Sequence, residues 1–125
     1  MIQRIQTLYL SLASFTSFFI YLYTYEIFSS TIISKSHFFL ITSIILIIII
    51  FLYKKRSFQS SICLLLLILN LIVFLFIIYN FVNKLFLDIV LVLSIFIIVK
   101  QSLIFLARKA IIRDKNLIRS IDRLR

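Results

Sequence analysis

Four long apolar stretches, separated by three short polar breaks, dominate this chain of 125 residues. Each stretch is close to the roughly 20 residues that a helix needs to cross the hydrocarbon core of a bilayer. With 63% hydrophobic and 14% charged residues, the chain has too few polar side chains to cover a water-soluble globule. The same hydrophobicity excludes an intrinsically disordered chain. The sequence therefore predicts an integral membrane protein.

Helices are favoured over strands for these stretches, although Ile, Val, Phe and Tyr are common in sheets. Membrane strands alternate apolar and polar residues, and the run from Ile44 to Ile50 does not alternate. A helix also satisfies its backbone hydrogen bonds internally, as lipid requires. We expect an all-α membrane protein, an antiparallel four-helix transmembrane bundle over 1–106 with a C-terminal basic amphipathic helix over 107–125. The predicted spans are 7–25, 31–53, 61–79 and 85–106, and the short breaks predict that consecutive helices pack side by side.

The positions of Lys and Arg predict the orientation of the bundle. Eleven of the fourteen bases lie before the first span, between the second and third spans, or after the fourth span. Lys35 and Lys84 lie in the other two connections, and Lys100 lies within the fourth span. The positive-inside rule then predicts that both termini are cytoplasmic.

The C-terminal segment 107–125 carries seven of these bases. On a helical wheel its apolar residues cluster on one arc and most of its bases on the other, which is typical of helices that bind anionic lipid headgroups. RNA is an alternative partner through its phosphates, but the segment lacks the aromatic residues that stack on bases, which favours lipid. The residues expected to contact the membrane surface or a partner are Arg4, before the first span, and these seven bases: Arg108, Lys109, Arg113, Lys115, Arg119, Arg123 and Arg125.

Polar residues inside the spans have both structural and functional interpretations. Asn70 lies near the centre of the third span, where a hydrogen bond between helices is favoured over a polar path. A stripe of small polar residues on the first span favours close helix packing over a hydroxyl-lined pathway, and it comprises Thr7, Ser11, Ser14 and Ser17. Lys100 either belongs to a functional site or extends its stem to the cytoplasmic headgroups, and the second use is favoured.

The sequence indicates no catalytic or cofactor site. Its four acids are scattered, so no pair is available for acid–base chemistry, and a chain without glycine has no glycine-rich phosphate loop. Cys63 and His37 are the single cysteine and the single histidine, which excludes thiol exchange, a Cys-rich metal site and a haem held by two histidines. We expect a protein that is not an enzyme and holds no cofactor or metal ion.

Both ends of the chain carry motifs of a known family. The opening motif is Gln3-Arg4-Ile5-Gln6, and the closing motif comprises Asp114, Leu117, Ser120, Asp122, Arg123 and Arg125. Together with four apolar spans, they resemble a small four-helix family of Bacteroidota that is known only as a domain of unknown function. The resemblance implies an inner-membrane location with no assigned activity. It also implies that Arg4 and the tail meet at the cytoplasmic face, with a contact between Arg4 and Asp114 or Asp122.

Three functions are compatible with the sequence. The favoured one is a non-enzymatic scaffold or accessory subunit whose tail contacts the membrane surface or a partner, either another membrane protein or a second copy. One alternative is a small oligomeric transporter or channel. Another is a membrane assembly or insertion factor whose basic tail touches the ribosome.

Overall fold

Four α-helices make up the computed structural model of the chain. The structure describes the backbone of residues 2–27, 33–52, 55–82 and 87–122, and the side chains of residues 5–25, 37–52, 55–79 and 91–120. No strand occurs in these ranges, so the all-helical, four-helix prediction is confirmed. The helices are α1 (Ile2–Ile27), α2 (Ile33–Phe51), α3 (Arg56–Val82) and α4 (Leu87–Asp122).

Three of the helices are long and apolar enough to cross a membrane, through the stretches Ile5–Tyr25, Arg56–Tyr79 and Leu91–Ser120. The described apolar stretch of α2 is shorter, His37–Phe51. The whole of α2 has 19 residues and a length of about 28 Å, which is close to the hydrocarbon thickness of about 30 Å. Leu, Ile and Phe predominate among the exposed large side chains, as expected for a surface that faces lipid.

The connection between α2 and α3 is tightened by hydrogen bonds, without glycine or proline. The Leu52 N–H donates to the Ile49 carbonyl at 3.1 Å, which closes the end of α2 with an i→i−3 bond. The Lys55 carbonyl accepts from the Gln59 N–H at 3.0 Å and so starts α3. The Gln59 side chain then returns to α2, where Nε2 donates to the Ile49 carbonyl at 3.1 Å. These bonds join the end of α2 to the start of α3.

The helices are arranged around the bundle in the order α2, α1, α4, α3. Helix α1 packs along α2 and α4, and α4 packs along α3, whereas α2 and α3 barely touch. The expectation that consecutive helices pack side by side is therefore wrong for α2 and α3. Lys100 of α4 reaches across the interior to Thr42 of α2, so α2 is held to the rest of the bundle mainly by α1 and by this contact.

Buried positions recur at spacings of three and four residues along each helix, the pattern of helices that pack side by side. They form two apolar clusters, separated along the bundle axis. The basic-end cluster comprises Leu10, Ala13, Leu46, Ile49, Cys63, Leu66, Ile104, Ala107 and Ile111. The far-end cluster comprises Ile20, Phe39, Leu93 and Ile97.

Helix α4 continues without a break through the segment that was expected to form a separate tail. It has 36 residues and is about 54 Å long, so the expected boundary between residues 106 and 107 is not a helix end. Ala107 and Ile111 belong to the basic-end cluster, because the apolar arc of the tail begins as a continuation of the buried stripe of α4. Further along the same arc, Leu117 and Ile118 are exposed.

Candidate functional site: a buried polar layer and a basic end

A layer of polar side chains lies between the two apolar clusters. Each helix contributes one buried member to this polar layer, which consists of Ser17, Thr42, Asn70 and Lys100. Along each helix, the member of the polar layer has a residue of the basic-end cluster on one side. On its other side is a residue that belongs to the far-end cluster or packs against it. Lys100 is about 12 Å along α4 from Arg108. The polar layer therefore falls within the hydrocarbon core when Arg108 is at the headgroups.

Lys100 is the least expected member of the polar layer, because its side chain is 0% exposed. Its Nζ donates to Thr42 Oγ1 at 3.0 Å and lies 5.3 Å from the centre of the Phe39 ring, within range of a cation–π interaction. The prediction that the stem extends to the headgroups is wrong, because residue 100 falls on the buried stripe of α4. An ionisable residue inside a membrane bundle is a functional candidate by default.

The Thr42 hydroxyl links three helices. Its Oγ1 accepts from Lys100 of α4, donates to the Phe39 carbonyl at 2.9 Å, and lies 3.1 Å from Ser17 Oγ of α1. Because the single Thr42 proton points to Phe39, Ser17 is the donor in the last of these contacts. A hydroxyl has one proton and two lone pairs, so these three bonds use its full capacity.

The three serines of the predicted stripe on α1 make both local and interhelical contacts. Ser17 is buried and bonds to Thr42 of α2, as described above. Ser14 is also buried, but it donates to the Ser11 carbonyl at 2.7 Å within α1. Ser11 is half-buried and donates to the Leu8 carbonyl at 2.9 Å. The stripe thus joins α1 to α2 through Ser17.

Asn70 is buried as expected, but its hydrogen bond is not the expected one. Its Nδ2 donates to the Leu66 carbonyl at 2.7 Å, within the same helix. Its Oδ1 is buried and accepts no hydrogen bond from the part of the chain that the structure describes. A buried acceptor left unpaired costs about 1–3 kcal/mol, so Asn70 weakens the polar layer.

At one end of the bundle, two contacts hold α4 against the start of α3. Arg56 Nη1 and Asp114 Oδ2 form an ion pair at 2.7 Å, and Lys115 Nζ donates to Ser57 Oγ at 3.0 Å. The described bases at this basic end are Lys55, Arg56, Arg108, Lys109, Arg113, Lys115 and Arg119.

Asp114 is the one acid among the described side chains, so the basic end carries a large positive charge. Its observed partner is Arg56, whereas the predicted partner was Arg4. Several side chains named in the sequence predictions lie outside the described side chains: Gln3, Arg4, Lys35, Lys84, Asp122, Arg123 and Arg125.

Three glutamines, which the sequence analysis did not single out as site residues, donate to carbonyls of neighbouring helices. Besides the bond from Gln59, Gln6 Nε2 donates to the Ala110 carbonyl and Gln101 Nε2 to the Leu67 carbonyl, both at 3.1 Å. Interhelical hydrogen bonds in membranes contribute about 0.6 kcal/mol on average. The Gln6 bond brings the beginning of α1 to the tail, as the family resemblance implied. A glutamine at a buried spacing within an apolar helix is the sequence signal that could have identified such contacts.

The chain matches the family described as "Domain of unknown function (DUF4293)" over residues 21–124, and it belongs to this family. The resemblance to a family of unknown function is therefore confirmed. The matched range contains most of the closing motif, whereas the opening motif lies before it. Comparisons with curated proteins and with solved structures find no match.

Replacing Thr42 with valine removes the hydroxyl that links three helices and leaves the Lys100 ammonium without that acceptor. We expect the free energy of unfolding in bicelles to fall by about 1–3 kcal/mol. In a Lys100→Met background the same substitution should cost less, because no buried ammonium loses its partner.

Thr16→Val is the control for this cycle, since the Thr16 hydroxyl donates to the Ala13 carbonyl within its own helix at 2.9 Å. An equal loss for Thr42→Val in both backgrounds would show that Lys100 and Thr42 are not coupled.

Proposed function

We propose that this chain is a multi-pass protein of the inner membrane of Bacteroidota, and that it acts as a non-enzymatic scaffold or accessory subunit. Both termini are then cytoplasmic, and the basic end contacts anionic lipid and a protein partner. The observation that carries the proposal is the end of α4, a continuous helix that leaves the bundle with exposed bases and exposed apolar side chains.

The charge of the basic end supports this orientation. Seven bases and one acid are described there, and such an excess of positive charge is typical of the cytoplasmic side of a bacterial membrane protein. Arg108 and Lys109 follow directly on the apolar part of α4, so they lie at the level of the headgroups. Each base near an anionic surface contributes about 1 kcal/mol to the attraction.

The last turns of α4 extend past the headgroups and support a protein partner. Because α4 is unbroken, Arg119 lies about 16 Å beyond Arg108 along the helix axis when the helix stands upright. The headgroup layer on each side of a bilayer is about 5–8 Å thick. Leu117 and Ile118, which are 43% and 40% exposed, are then apolar side chains in water. A projecting helix with both bases and apolar residues fits a protein surface better than a flat layer of lipid.

The contacts at the basic end also keep this helix in a fixed position. The Arg56–Asp114 ion pair and the Lys115–Ser57 hydrogen bond tie α4 to α3, and Gln6 ties it to α1. A binding element that is already ordered loses less conformational entropy when the partner binds. The arrangement is therefore suited to presenting a surface, as a scaffold does.

The orientation predicts the behaviour of reporter fusions placed after Arg125. Alkaline phosphatase, which is active in the periplasm, should be inactive there, and a fluorescent protein that folds in the cytoplasm should be bright. An active phosphatase fusion at this position would contradict the cytoplasmic placement of the basic end.

The scaffold role predicts a partner that depends on the end of α4. We expect the full-length protein, purified from native membranes after mild crosslinking, to retain a partner in stoichiometric amount. The double variant Leu117→Asn/Arg119→Glu should lose it, because it removes apolar contact and reverses one charge.

Lys55→Glu is the matched control for the partner test, since Lys55 is an exposed base just before α3 and is not part of the projecting turns of α4. Retention of the partner by the double variant would contradict the proposal. Ribosomal proteins as the partner would support the insertion-factor alternative instead.

Transport of a small anion is a second candidate function, favoured by the buried ammonium of Lys100 and by the Asn70 amide, whose Nδ2 carries a second N–H beside the one that bonds to Leu66. If the protein transports anions, proteoliposomes that contain it should show a chloride flux, and the Asn70→Leu variant should show none. The exposed Asn116 offers the matched control Asn116→Leu, which should leave that flux unchanged. A flux no greater than that of protein-free vesicles would eliminate chloride transport.

A further inference from the structure

A groove of about 600 Å³ runs along the outside of the bundle between α3 and α4. Its walls are almost entirely apolar: Leu67, Leu71 and Phe74 lie on the α3 side, and Ile98, Ser102 and Phe105 on the α4 side. The groove is open to the outside of the bundle, where the apolar character of the chain places lipid.

We propose that this groove is a binding site for an anionic phospholipid of the cytoplasmic leaflet, with an acyl chain in the groove and the phosphate at Arg108 and Lys109. This inference deepens the proposed function, since it rests on the basic end lying at the headgroups.

The bases stand at the correct end and on the correct face of α4. Arg108 follows Gln101 by seven residues and Lys109 follows Ser102 by seven, so both continue the face of α4 that lines the groove. Lys109 is exposed, and Arg108 Nε is buried with no hydrogen-bond partner among the described residues. This unpaired guanidinium N–H lies about one helical turn after Phe105, the last α4 residue of the groove, and it can bind a phosphate oxygen by a charge-assisted hydrogen bond.

The depth of the groove fits one leaflet. From Phe105 to Ile97 its α4 wall extends about 12 Å along the helix axis. Half of the hydrocarbon core is about 15 Å thick, so a chain attached to a headgroup at Arg108 would fill the groove and stop near the bilayer centre. The polar layer, with its buried ammonium, lies behind this wall of the groove at Lys100.

A lipid chain fits the groove better than a transmembrane helix of a partner or a second copy. Helices in membranes approach one another through small residues, whereas this groove is lined mainly by Leu, Ile and Phe. The occupant with matching length and charge is therefore a phospholipid.

The chain contains no tryptophan, so a single introduced tryptophan can report on the lipid beside it. The test uses full-length Phe105→Trp in phosphatidylcholine vesicles with a minor fraction of phosphatidylglycerol. Two preparations are compared: in one the phosphatidylglycerol carries brominated acyl chains, and in the other the phosphatidylcholine does. Bromine quenches tryptophan fluorescence at short range. We expect brominated phosphatidylglycerol to be enriched near position 105 about fivefold over its bulk fraction, the factor expected from one base near an anionic surface.

Two controls separate the groove from the general attraction of a basic surface. Leu106→Trp places the probe on the neighbouring residue of the same helix, which is exposed but does not line the groove, and should show no such enrichment. In the Phe105→Trp background, the double variant Arg108→Gln/Lys109→Gln should return the enrichment close to the bulk value, whereas Arg119→Gln should not.

Equal enrichment at positions 105 and 106 would overturn the groove site while leaving the basic end as an anionic surface. Quenching at position 105 by the two brominated lipids in proportion to their bulk fractions would overturn the phosphate contact. No quenching at position 105 would mean that protein fills the groove and would overturn the lipid site. None of these results depends on the partner at the end of α4, so a failure here is distinguishable from a failure of the scaffold role.

Discussion

The hydrogen bond from the Lys100 ammonium to the Thr42 hydroxyl organises the interior of this bundle. Within a bilayer, apolar side chains gain little by leaving lipid for one another, so packing and polar contacts decide which helices associate. Thr42 gathers the side chains of α1 and α4 around one oxygen atom on α2. The order α2, α1, α4, α3 is consistent with this contact, because α1 lies between the two helices that the bond connects.

Helix α4 combines two environments in one element. Its first part crosses the membrane with Lys100 turned inward, and its last turns carry exposed bases and exposed apolar residues beyond the bundle. The ion pair between Arg56 and Asp114 lies between these parts and is shielded on one side by protein. The side chains of Arg56 and Asp114 are mostly buried, so the cost of removing both charges from water offsets much of their attraction, and the main effect of the pair is to position α4 against α3.

The helices could be predicted from the sequence because lipid leaves few alternatives for an apolar backbone, and the expected spans fall on the four observed helices. The burial of Lys100 could also be predicted from the sequence, because Lys100 lies three residues after Ile97 and four before Ile104, and both of these are buried. The hydrogen-bond partner of Lys100 could not be predicted, because Thr42 lies on another helix and its proximity depends on how the four helices are arranged. The same holds for Asp114, whose partner Arg56 is distant in sequence. Patterns along one helix thus predict which face is buried, whereas contacts between helices require the three-dimensional arrangement.

Central to this bundle is that the Lys100 side chain points inward, towards Thr42, and not outward to the lipid headgroups. Solid-state NMR of the protein in phospholipid bilayers, with ¹⁵N-labelled lysine and ¹³C-labelled threonine, measures this direction through dipolar contacts of Lys100 Nζ. We expect a strong contact between Lys100 Nζ and the Thr42 side chain, consistent with the 3.0 Å separation of Nζ and Oγ1, and no contact with lipid phosphorus. A contact of Lys100 Nζ with lipid phosphorus, without one to Thr42, would contradict the polar layer as the centre of the bundle.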